Sequence, residues 1–174
     1  MAANLPDGIS PRHLEQARPV HALSHWLPLL ILGALMIAAL AGLFGGWPNE
    51  RKSALRNGAS LAVEAPQILR AGEFFEIWID IRADRTIEKP TLAISAPYLR
   101  NLTVNTVMPG AEEEAYSGGA FTLTYGRLEP GDLLRVKLDG QVNPTLAGGH
   151  DGWMELREGD MRLVRVPLEL EILP

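Results

Sequence analysis

Between Trp26 and Trp47 lie twenty residues without a charge, LPLLILGALMIAALAGLFGG. A helix buried in a soluble domain carries a polar stripe at this length; here every residue is apolar, Gly or Pro. At 1.5 Å per residue, a helix between the two tryptophans covers about 32 Å, close to the ~30 Å of bilayer hydrocarbon. Residues 26–47 are therefore expected to form a retained transmembrane helix, with Trp26 and Trp47 as anchors at the two membrane interfaces. Pro28 falls in its first turn, and Gly45, Gly46 and Pro48 supply its end.

A cleaved signal peptide is the rival reading. Ala39, Leu40 and Ala41 fit a small-residue cleavage site with an apolar stretch before it. The leader would be about 25 residues, longer than usual, and apolar character continues past the site through Leu43 and Phe44. Flanking charge gives little direction: Arg12 and Arg18 precede the span, and Arg51, Lys52 and Arg56 follow it. Long domains cross membranes largely regardless of charge, so a short tail, one span and a β domain is read as an extracytoplasmic arrangement.

Within the run, Ala34, Ala38, Gly42 and Gly46 recur every four residues and would stack on one helix side. Small residues let a second helix approach closely, and in lipid that packing replaces the hydrophobic drive. This face is the expected contact with an integral membrane protein partner or with a second copy.

The N-terminal tail, residues 1–25, holds Ser10-Pro11, an N-cap followed by Pro, and so a short helix over residues 11–18. His21 and His25 are four apart, a spacing that suits a metal or a pH response. Without a third ligand they read as polar residues at a headgroup boundary. Residues 48–59 are polar and include Asn57-Gly58, a turn signal; they read as a juxtamembrane linker.

From residue 60 the period changes. In FFEIWIDIR, Phe75, Ile77, Ile79 and Ile81 alternate with Glu76, Trp78, Asp80 and Arg82, the pattern of a half-buried strand. Short runs of strand type follow at 60–65, 91–95, 101–107, 120–125, 133–142, 152–157 and 161–172, punctuated by turn residues. Seven or eight strands without helical periodicity predict a mainly β fold over residues 60–174, an antiparallel, immunoglobulin-like β-sandwich. The chain has no cysteine, so the Cys–Trp–Cys hallmark of that topology is missing and disulfides and thiolate metal sites are excluded.

Residues 1–59 carry five Arg and Lys against three Asp and Glu, or +2; subtracting from totals of 16 and 21 leaves eleven against eighteen, or −7, for the rest. An acidic domain repels phosphate backbones, which argues against nucleic-acid binding. Catalytic signals are sparse. His150-Asp151 is the pairing of a base and its orienter, yet it sits in the glycine-rich LAGGHDGW, read as a solvated loop. Glu112, Glu113 and Glu114 lack a calcium-loop spacing. Asn101-Leu102-Thr103 matches a glycosylation sequon on an expected strand, where chance is the better explanation. Trp78, on the wet face of its strand, is the candidate protein-binding residue; whether Tyr98, Tyr116 and Trp153 join it is not legible.

The expected function is a single-pass, membrane-anchored accessory or binding protein, without cofactor or enzymatic activity, whose sandwich engages a protein partner. The alternative is an envelope ligand- or glycan-binding module, tethered or secreted after cleavage.

Overall fold

The structure is a computed structural model that describes residues 19–44, 48–144 and 148–174, with backbone alone for residues 19–25. The expected helix over residues 11–18, the side chains of His21 and His25, and Gly45, Gly46 and Trp47 lie outside the described residues. The chain divides into two units, Met1–Phe44 and Gly45–Pro174.

The first unit is built on helix α1 (Pro19–Leu40). It begins before the expected Trp26, so Pro28 lies in the helix interior, where it has no N–H to give to the carbonyl four residues back. The helix ends earlier than hydropathy suggests. The N–H of Leu43 donates to the Ala38 carbonyl at 3.0 Å and that of Gly42 to the Ala39 carbonyl at 2.9 Å. With Gly42 at φ 75°, these two bonds form a Schellman cap. Gly42 is thus a helix stop; of the four-residue register, Ala34 and Ala38 lie in α1, Gly42 caps it, and Gly46 lies outside the described residues. No helix among the described residues is long and apolar enough to cross a membrane.

The second unit is a two-sheet β-sandwich. Strands β1 (Glu50–Arg56), β2 (Ala59–Ala65), β4 (Phe74–Ala83), β6 (Leu102–Met108) and β9 (Leu133–Val142) form one sheet in the order β1-β2-β4-β9-β6. Strands β3 (Ile68–Arg70), β5 (Pro90–Ser95), β7 (Glu113–Ser117), β8 (Ala120–Thr124), β10 (Gly148–Glu158) and β11 (Met161–Leu173) form the other, ordered β3-β11-β10-β5-β8-β7. Pairing is antiparallel except between β3 and β11. A single helical turn, α2 (Ala96–Leu99), follows β5.

The core follows from two-residue alternation. Phe75, Ile77, Ile79, Ile81 and Ala83 of β4 and Val164, Val166, Leu168, Leu170 and Ile172 of β11 are buried in one core between the sheets. Each fully buried aliphatic side chain contributes roughly 1.5–3 kcal/mol over its exposed state.

The expected linker is corrected: residues 50–56 pair with β2 along their whole length. Asn57 and Gly58 have φ of 53° and 72°, the two positive angles of a type I′ hairpin turn. Polar sequence misled here because β1 is an edge strand that packs on the core only through Ala54. Strand β10 likewise begins at Gly148 rather than residue 152, so residues 148–151 of the expected loop are strand.

At Gly152 a Cβ would lie 2.4 Å from the Ser95 hydroxyl and 2.4 Å from Cβ of the buried Tyr98. Glycine therefore lets α2 close over β10, and the Ser95 hydroxyl accepts the Trp153 N–H at 2.9 Å. Gly152→Ala is expected to lower stability by about 1–3 kcal/mol through overpacking, read as a lower urea midpoint by tryptophan fluorescence; an unchanged midpoint refutes this packing.

Candidate interaction surface

Alternation that buries Ile77, Ile79 and Ile81 turns Glu76, Trp78 and Asp80 outward on the first sheet. Register sets their neighbours: Trp78 lies between Glu64 of β2 and Lys137 of β9, and Asp80 lies opposite Arg135. The Arg135 guanidinium grips Asp80 at 2.6 Å from Nε and 3.1 Å from Nη2. Arg51 of β1 adds a third bond at 3.1 Å. Hydrogen bonding from Arg135, reinforced by Arg51 and opposed by partial burial, holds the Asp80 carboxyl below the usual aspartate range.

Lys137 bridges Glu76 at 2.8 Å and Asp139 at 3.0 Å. Its ammonium lies 5.5 Å from the centre of the Trp78 ring, within cation–π range. Those two carboxylates, Glu76 first, raise its pKa. Trp78 is 36% exposed and borders a shallow depression with Arg51, Glu64, Asp80 and Arg135. The outcome is an indole held in a lattice of paired charges. Tryptophan and arginine are the residue types that concentrate binding energy at protein interfaces.

Strand geometry does not unite the other aromatic candidates with Trp78. Tyr98 is the buried residue of α2, and burial raises the pKa of its hydroxyl. Tyr116 is exposed on β7, at an edge of the second sheet. Trp153 faces outward from the second sheet, where sequence reading missed a cluster. Arg165 stacks 4.0 Å from the Trp153 ring centre. Its guanidinium binds Glu155 at 2.6 Å, and Arg157 holds the other carboxylate oxygen. Glu155 is only 1% exposed, so both arginines compensate a carboxylate shielded from water. The signal was present in WMELR: Trp153, Glu155 and Arg157 alternate with the buried Met154 and Leu156. The hairpin register sets Arg165 opposite Glu155.

His150 is corrected from solvated loop to buried strand residue at 7% exposure. Asp151, its neighbour in the strand, is exposed, so alternation sends the two side chains apart and no base–orienter pair forms. The His150 Nδ1 has no hydrogen-bond partner among the described residues. Glu113 and Glu114 belong to β7 rather than a loop, and Glu113 pairs with Lys89 at 3.1 Å. Asn101, expected on a strand, precedes β6 with φ 68°. No cluster of three His, Asp or Glu suited to a metal exists among the described residues.

No family model matches the chain, and no curated protein does. Among solved structures it is similar to a CARDB domain from Pyrococcus furiosus, with 7% identity and a TM-score of 0.42, covering 69% of this chain and 98% of that one. It is also similar to CaCohA2 from Clostridium acetobutylicum, with 14% identity and a TM-score of 0.44, covering 67% and 90%. The C-terminal domain of wzt matches at 11% identity and a TM-score of 0.40, covering 74% and 81%.

A carboxylate with a lowered folded-state pKa stabilises the fold above its unfolded pKa, and that contribution fades as pH falls through the folded value. Asp80→Asn is therefore expected to cost on the order of 1 kcal/mol at pH 7. The gap from the parent should close as pH drops below the ordinary aspartate value of 3.8. Denaturation curves at several pH values check this; a gap independent of pH removes the ion-pair explanation.

Proposed function

We propose that this chain is a single-pass, membrane-anchored accessory protein whose sandwich engages a protein partner on the extracytoplasmic side. One observation carries the reading. Trp26, Leu27, Leu29, Leu30, Ile31, Leu32, Leu35, Met36, Ile37, Leu40, Leu43 and Phe44 are all exposed, by 43% to 87%. Leaving that surface in water costs on the order of 20 kcal/mol. Lipid is the medium that removes the cost on every side of a helix at once. The uncharged run continues in sequence past the helix cap at Gly42 to Trp47.

In this reading, Trp26 and Trp47 mark the interfaces, and the side of α1 holding Ala34 and Ala38 meets an integral membrane partner or another copy. The paired-charge surface around Trp78 is the sandwich's contribution. Anchoring raises the local concentration of that surface, so a weak contact suffices. The sandwich itself favours recognition over chemistry: His150 and Asp151 point apart, and the charged clusters bind one another.

Expressed in its native membrane, the full chain should stay in the pellet through an alkaline carbonate wash. After mild detergent extraction it should emerge with a stoichiometric companion or as a multimer. Ala38→Leu should weaken that association about tenfold, and Trp78→Ala should weaken it further. Release by carbonate overturns the anchor; a solitary monomer at every detergent condition overturns the accessory role.

A further inference from the structure

One side of the sandwich has two open strand edges. Strand β1 is the last strand of its sheet, paired to β2 alone. Strand β11 pairs with β10 on one side and, on the other, with β3 only at residues 171–173. Between the edges of β1 and β11 lies an open cleft of about 570 Å³, bordered by Leu55, Arg56, Asn57, Arg162, Arg165 and Pro167.

Which backbone groups of β11 face this cleft follows from Trp153. Its N–H turns toward β5, where Ser95 accepts it, so the directly opposed Trp153 and Pro167 exchange no bonds. The Pro167 carbonyl therefore points away from β10, and so do the N–H and carbonyl of Arg165 and the N–H of Glu169, each two residues along. One such carbonyl, that of Leu163, is already taken by the Asn57 side-chain amide at 3.0 Å. The others have no partner among the described residues. Proline belongs at such a position, because its missing N–H falls on the open side.

The cleft is also electropositive in a chain of net charge −5. No Asp or Glu lines it, and Glu169, farther along β11, is paired with Lys52 of β1 at 3.9 Å. Arg165 is engaged by Glu155, which it shares with Arg157, whereas Arg56 and Arg162 form no ion pair among the described residues. Leu55 adds an apolar contact at 72% exposure. Uncovered backbone donors and acceptors call for an extended chain, and uncompensated arginines call for carboxylates.

We propose that this cleft takes an extended acidic segment of a partner protein, added as a strand along the free edge of β11 and held by Arg56 and Arg162. The proposal rests on the reading of the chain as a partner-binding protein and names the chemistry of the partner. A second copy is the wrong occupant: two such edges would oppose arginine to arginine, and Pro167 interrupts the donors needed for symmetric pairing. Charge and proline on an edge discourage self-association, while a complementary guest meets neither obstacle.

The test uses the full chain, isotopically labelled in detergent micelles at low salt. The probe is a synthetic peptide of about seven residues alternating Glu and Val. Saturable binding should shift the Arg165 and Glu169 amides and slow their exchange with solvent. Arg56→Ala with Arg162→Ala should weaken binding roughly tenfold or more; both side chains are exposed and unpaired, and an unchanged thermal midpoint verifies that the fold survives. The proposal is overturned by no saturation at millimolar peptide, by equal binding of a Lys-Val peptide, by equal binding of a peptide with proline at alternate positions, or by indifference to the double substitution. Equal shifts from phosphatidylserine vesicles overturn it in favour of lipid headgroups. If the peptide fails while carbonate resistance and co-purification hold, the cleft is lost and the accessory role stands; the reverse pattern removes the role and leaves the cleft.

Discussion

The placement of β4 between β2 and β9 is the constraint on which the sandwich depends. Its inward row, Phe75 to Ala83, fills the middle of the core, and its outward row carries Glu76, Trp78 and Asp80. Side chains alternate with a period of two, so a slip by one residue would send three isoleucines to water and an aspartate, a tryptophan and a glutamate inward. The same register that buries the isoleucines sets Arg135 beside Asp80 and Lys137 beside Trp78. Core formation and surface construction are thus one event read from two sides of the same strand.

How much of this was legible depended on whether a segment reports its own burial. Strands β4, β9 and β11 alternate strongly because one face of each is buried, and the sequence places them within a residue or so. Strands β1, β3 and β7 lie at sheet edges, bury little, and carry charges such as Arg51 and Glu113; nothing in their hydropathy marks them. Asn57-Gly58 did carry a hairpin signal, but a preceding segment as polar as ERKSALR concealed what the turn joined. The two-sheet sandwich was legible, whereas the strand count was not.

The site was legible only where one strand sufficed. Outward Trp78 followed from FFEIWIDIR alone. Its charged surroundings required knowing that β9 and β1 flank it, information held in long-range pairing. The buried Glu155 needs the register of a hairpin whose first arm begins four residues before its alternation shows. His150 illustrates the opposite failure: glycines suggest a loose loop, yet backbone pairing along Leu168–Ile172 draws residues 148–152 into the sheet. Helix α1 repeats the theme, since hydropathy measures where water is unwelcome and says little about where backbone bonds close.

The Asn57 side chain joins the two sheets through one nitrogen, at the turn where β1 gives way to β2. Asparagine followed by glycine is also the pairing most open to slow hydrolysis of the amide. Conversion to aspartate would set a negative oxygen against the Leu163 carbonyl, turning a clasp into a wedge. The seam between the sheets therefore has a chemical lifetime as well as a thermodynamic one, and an old molecule need not be held shut as a new one is.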